Sequence, residues 1–160
     1  MVWVALIAVV IAALDQFTKW LVQRSIGPAD TRVVIDGFFS LVNWRNTGAA
    51  WGMFQHYNLL LIAVSVSTML ALWWFRRSFP LRRPGARLAL GLIAGGIFGN
   101  LIDRIRLGSV IDFLNFSIGS YHWPAFNVAD SAICIGVGLY ILLSWGADNS
   151  GEKRHAAVSS

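Results

Sequence analysis

The sequence predicts an all-α membrane protein, four transmembrane helices with a small extracytoplasmic β-sheet. Three observations carry that expectation. Hydrophobic residues fill 56% of the 160 positions and charged ones only 13%, with a mean hydropathy of +0.60, too apolar for an ordinary soluble domain of this length. Four apolar segments, about 2–22, 57–75, 87–104 and 123–145, approach the roughly 20 residues that cross a hydrocarbon core. Five of the thirteen basic residues, Arg76, Arg77, Arg82, Arg83 and Arg87, crowd between the second and third segments with no acid among them.

The first segment lacks a positive n-region and runs into Asp15, Thr18 and Lys19 instead of a small-residue cleavage site, so it is a retained helix and not a signal peptide. The stretch at about 30–54 is not a further span. Val33 to Val42 forms two short strands about an Asp36-Gly37 turn. The neighbouring aromatics Phe38, Phe39, Trp44, Trp51 and Phe54 suit a sheet half-buried in headgroups or lying over a site. The third segment is near the lower limit for a span. Its Gly-Gly-Ile-Phe-Gly run, Gly95 to Gly99, could be taken for a phosphate loop, but no Lys-Ser or Lys-Thr follows and it lies within a span; close helix packing through small residues is the better reading. The linking segment Leu107 to His122 is a loop, and the fourth helix starts near Trp123 and Pro124.

By the positive-inside rule the arginine loop faces the cytoplasm, and so does the polar tail after Trp145, which carries Lys153 and Arg154. Both termini are then inside, and Arg24 to His56 and Leu107 to His122 lie outside. Trp20, Trp74, Trp123 and Trp145 sit where interfacial anchors are expected. Residues 1–146 form one membrane-embedded domain and 147–160 a cytoplasmic tail. The net charge of +5 does not indicate nucleic acid, because the basic residues are not interleaved with aromatics on a polar surface. The single cysteine, Cys134, has no internal partner and is expected in the core.

Ionisable residues within spans are costly and call for a function. Folding the topology up brings Asp15 and Lys19 on the first helix, Asn100, Asp103 and Arg104 on the third, Asp112 in the following loop, and Asn127 and Asp130 on the fourth to the outer face. Asp15 and Lys19, at i and i+4 with the acid first, suit a helical ion pair. Asp103 is flanked by Arg104 and Arg106, which favours a structural partner over a proton donor. Asn100 and Asn127 read as interhelical hydrogen-bonding residues. Asp112 and Asp130 have no basic residue within four positions. If they face each other, they share one proton and supply a general base and a general acid, although each also suits a proton relay or a packing role. There is no His-Glu-x-x-His, no paired histidines and no Cys-His set, so neither a metal site nor a nucleophilic triad is indicated.

Five motifs in order, Asp15-Gln-Phe-Thr-Lys19, Asn46-Thr-Gly48-Ala-Ala50-Trp51, Gly96-Ile-Phe-Gly-Asn100-Leu-Ile-Asp103-Arg104, Val110-Ile-Asp112-Phe113 and Phe126-Asn127-Val-Ala-Asp130, together resemble the lipoprotein signal peptidases (signal peptidase II). The resemblance implies a membrane aspartyl endopeptidase of the bacterial inner membrane that cuts prolipoproteins before a diacylglyceryl-modified cysteine, without metal or cofactor. It implies Asp112 and Asp130 as the catalytic pair. Asn46, Gly48, Asn100, Arg104 and Asn127 line or brace the substrate site, Asp15 and Lys19 support it, and Asp103 is a supporting residue. The expected partners are the prolipoprotein and membrane lipid, with the enzyme a monomer. The competing class is a proton-coupled transporter with an aspartate relay, which would need carboxylates reaching both faces of the membrane.

Overall fold

The computed structural model describes residues 1–49 and 53–158, with side chains as far as 145. Ala50 and Trp51 of the second motif lie outside the described residues, as do the side chains of Lys153 and Arg154. Among the described residues four helices are long and apolar enough to cross a membrane: α1 (Val2–Ser25), α2 (Asn58–Trp74), α3 (Pro84–Leu107) and α4 (Val128–Val158). A turn of 3₁₀ helix, Phe75–Arg77, follows α2.

The third helix is longer than its sequence suggested. Pro84 opens it, where the missing N–H costs nothing. Gly108 closes it at φ +70 with its N–H on the Arg104 carbonyl at 3.2 Å, the left-handed cap that glycine adopts without strain. The buried side of α3 is built of small residues, Ala86, Ala89, Gly91, Gly95, Gly96 and Gly99. A Cβ on Gly95 would come within 2.7 Å of the Ala8 carbonyl of α1, and one on Gly96 would press into the Ala129 carbonyl of α4. The glycine run is therefore a packing surface that brings α1 and α4 against α3 from two sides. By contrast α2 buries a single residue, Leu61.

Beside the helices stands a four-stranded antiparallel sheet of order β1-β2-β3-β4, with β1 Thr31–Ile35, β2 Phe39–Asn46, β3 Val110–Ile118 and β4 Tyr121–His122. The hairpin about Gly37 (φ +68) matches expectation. The segment after α3, expected as a loop, is instead the strand β3, so Asp112 sits on a strand opposite Trp44. Its first four residues are all buried, because one face packs through Phe113 against Val22 of α1 and Ile26 just beyond it while the other meets the site. That removes the alternation by which a half-exposed strand is recognised.

The fourth helix starts at Val128 and not at Trp123. Phe126 exchanges backbone hydrogen bonds with Leu114 (2.8 and 3.0 Å), and the Trp123 N–H bonds the Phe116 carbonyl at 2.9 Å. Pro124 therefore lies in an extended link, and His122 belongs to β4. Asp130 falls in the first turn of α4 instead of the second, and α4 continues as helix to Val158 through the segment expected as a tail.

Candidate active site

The site is assembled on a buried cation. Lys19 is 2% exposed. Its ammonium pairs with Asp15 one turn before it and with Asp103 of α3, both at 2.8 Å, and donates to Asn100 Oδ1 at 2.9 Å. Its three protons thus have three acceptors, which a desolvated ammonium requires. The other oxygen of Asp15 accepts the Ala129 N–H of α4 at 2.9 Å, a carboxylate at a helix N-terminus.

Asp103 is held differently from its sequence neighbourhood. Its partners are Lys19, the Gln16 amide (2.8 Å) and the Ile111 N–H (3.2 Å), not Arg104 or Arg106. Successive helical residues point about 100° apart. Arg104 therefore turns toward the β2 exit, donating to the Gly48 carbonyl at 3.1 Å, and Arg106 meets Gln16 Oε1 at 3.5 Å. Gln16, which also donates to the Gly99 carbonyl at 3.1 Å, belongs to this cluster and was not anticipated. The available signal was its place inside the Asp15-to-Lys19 turn.

Two asparagines join this cluster to the remaining aspartates. Asn100 passes from Lys19 to Asp130, its Nδ2 donating to Asp130 Oδ1 at 2.7 Å. Asn127 caps α4: its Oδ1 accepts the Asp130 N–H at 2.9 Å while Asp130 Oδ2 accepts the Asn127 N–H at 3.3 Å, a reciprocal capping box with an aspartate in the acidic position. The Asn127 amide then donates to Asp112 Oδ1 at 2.8 Å. Asn46 donates to Asp112 Oδ2 at 3.0 Å while its own Oδ1 accepts the Gly48 N–H at 2.9 Å. Asn46 therefore both lines the cavity and braces Asp112.

Asp112 is 4% exposed, and burial together with the charge of Asp130 pushes its carboxyl up to about 7, against the pull of the Asn46 and Asn127 amides and of Lys19. A carboxyl of that kind holds a proton to hand over at neutral pH. Asp112, Asp130, Asn46, Gly48, Asn100 and Arg104 line one cavity of about 1170 Å³, walled by α2, α3, α4 and the sheet. Asn127, Asp15, Lys19 and Asp103 are all buried and do not line the cavity. Cys134 is not a core residue. It is exposed and lines the same cavity on the turn of α4 beyond Asp130.

Known proteins show the same plan. A family model described as signal peptidase (SPase) II matches residues 7–146. The lipoprotein signal peptidase of Syntrophotalea carbinolica is 44% identical over 144 residues, covering 88% of this chain and 89% of that one. The lipoprotein signal peptidase of Oleidesulfovibrio alaskensis is 49% identical over 138 residues, covering 83% and 88%. A solved structure described as a bacterial membrane enzyme superposes with a TM-score of 0.83 at 33% identity, over 92% of this chain and 90% of that one. Four apolar helices, a small sheet, two carboxyls on one cavity and relatives matched over most of their length lead to one conclusion: the chain belongs to the signal peptidase II family of membrane proteases.

Proposed function

We propose that this chain removes signal peptides from diacylglyceryl-modified prolipoproteins by hydrolysis between Asp112 and Asp130, at the outer face of the bacterial inner membrane. The observation that carries the reading is that one asparagine holds both carboxyls at the wall of a large cavity, Asn127 donating its side-chain amide to the buried Asp112 and its backbone N–H to the half-buried Asp130. The five arginines of the Arg76–Arg87 loop favour a cytoplasmic placement of that loop and of both termini, and hence an outer position for the sheet. Residues 1–146 work as one peptidase domain and as a monomer, with 147–160 outside it.

The substrate's apolar signal helix enters from lipid between the spans, and the scissile bond stops against the aspartates. One carboxylate takes a proton from water as its oxygen attacks the carbonyl carbon, and the other, protonated, gives its proton to the carbonyl oxygen. As the C–N bond breaks, the proton taken from water passes to the leaving amine, and one hydroxyl proton of the diol returns to the second aspartate. The products are a carboxylic acid and an amine, and the pair is reset. Asn46, Asn100 and Asn127 aim the carboxyls. Gly48 and Arg104 line the substrate's path, the guanidinium suited to hold polar backbone because it stays charged and donates in two directions. Asp15, Lys19 and Asp103 brace the assembly.

Purified protein should cleave a prolipoprotein after diacylglyceryl transfer and not before it. Asp112→Asn and Asp130→Asn should each remove nearly all turnover, with the double variant little worse than either, as for residues acting as one unit. Substantial cleavage by either single variant, or losses that multiply, would sink the assignment.

A further inference from the structure

Three asparagines surround the aspartate pair, and each is turned by a group that can only donate. The Gly48 N–H engages Asn46 Oδ1, the Asp130 N–H engages Asn127 Oδ1, and the Lys19 ammonium engages Asn100 Oδ1, all at 2.9 Å. A carboxamide has one accepting and one donating end. Once its oxygen is taken by an N–H, its NH₂ must face the other way, and in all three cases it faces a carboxyl.

The third of these locks is unlike the others. Two are neutral backbone groups, whereas Lys19 brings a full positive charge, buried and two bonds away from Asp130. It polarises the Asn100 amide along the chain Lys19–Asn100–Asp130, and hydrogen bonds in series strengthen one another. Asp130 also stands in the first turn of α4, where the helix dipole favours negative charge. Asp112 lies on a strand and receives two neutral amides.

We propose that Lys19, acting through Asn100, fixes Asp130 as the member of the pair that carries the negative charge and leaves the proton on Asp112. The inference rests on Asp112 and Asp130 being the reacting pair. Asp130 is then the base that takes the proton from water, and Asp112 the acid that protonates the carbonyl oxygen. Lys19 is a positioning residue, since its protons go to Asp15, Asp103 and Asn100.

The charged groups around Asp130 are Asp15 and Lys19 from α1, Arg104 from α3 and Asp112 from β3, with Asp103 of α3 paired to Lys19 behind them; α2 has no ionisable side chain. The two cations and the two supporting carboxylates balance in number. The direction of the hydrogen-bond chain, more than net charge, therefore decides which aspartate ionises first.

The test is the pH dependence of kcat and KM for diacylglyceryl-modified substrate. Asn100→Leu keeps every charge and cuts the chain. It should lower kcat by about tenfold or more, change KM by less than about threefold, and move the acid limb up by about one pH unit. Lys19→Met should move the limb the same way, with no further shift when combined with Asn100→Leu. Where Lys19→Met alone does not fold, Lys19→Met with Asp103→Asn removes an ion pair together and serves in its place. An acid limb unmoved in Asn100→Leu, or a Lys19 effect undiminished in the Asn100→Leu background, overturns the proposal. Asp130→Asn runs alongside: if it cleaves, the reacting-pair assignment has failed, whereas an inactive Asp130→Asn with an unmoved limb rejects the role of Lys19 alone.

Discussion

Replacing Asp112 by asparagine should abolish turnover and yet make the folded protein relatively more stable as pH rises. An aspartate carboxyl ordinarily ionises near 3.8, and burial with the charge of Asp130 holds this one up to about 7. The unfolded chain therefore releases this proton near 3.8 while the folded protein retains it. The unfolded state binds fewer protons across that window, so stability falls as pH rises through it, and the full penalty stands above pH 7. At about 1.4 kcal/mol per pH unit, the two units from pH 5 to 7 cost the wild type roughly 3 kcal/mol that a neutral amide does not lose. Against this stands a term that does not vary with pH. The new NH₂ would face Asn46 Nδ2, and Asn46 cannot turn over because its oxygen holds the Gly48 N–H; two donors face to face cost about 1–3 kcal/mol. Asp112→Asn should thus be neutral or destabilised at pH 5 and gain on the wild type by roughly 3 kcal/mol at pH 8, about 5–10 °C in Tm for a chain of this size. Thermal unfolding in micelles at the two pH values, followed by tryptophan fluorescence, measures it. A Tm difference between variant and wild type that is the same at pH 5 and pH 8 would refute the electrostatic origin of the raised Asp112 value.

Two further outcomes are expected. Reporters fused after Arg83 and after Ser150 should be cytoplasmic and one inserted near Asp36 exported; a cytoplasmic signal at Asp36 would reverse the orientation of the site. Gly96→Ala places a methyl against the Ala129 carbonyl, forcing α4 off α3 and Asp130 away from Asn100, so cleavage should fall at least about tenfold with a loss of roughly 1–3 kcal/mol of stability. Wild-type rates and melting in that variant would show the helix contact to be slack.

Hydropathy and the arginine loop made the helices legible, because lipid imposes length and composition on a span more strictly than water does on a soluble helix. The hairpin was legible from Asp36-Gly37. The strand carrying Asp112 was not, since a strand buried on both faces shows no alternation. Proline misled the start of α4. Pro124 is a permitted first helical residue, but pairing of Phe126 with Leu114 outweighs that local preference, and the effective start signal was Asn127 with an acid three residues later. Motif residues indicated which side chains gather at the site, yet not who binds whom. The immediate neighbours of Asp103 suggested arginine as its counter-charge, whereas its counter-ion is Lys19, 84 positions earlier in the sequence.

The capping box at the start of α4 gives the two aspartates different standing during biosynthesis. Asp130 completes the first turn of a membrane helix, so its loss weakens insertion and assembly before any substrate is met, while Asp112 only burdens the finished fold. A library selected for steady-state abundance, with no demand for cleavage, would keep asparagine at position 112 and deplete alanine at positions 127 and 130. The folding machinery of the cell thus already guards half of the candidate site, and only the need for processed lipoproteins guards the other half.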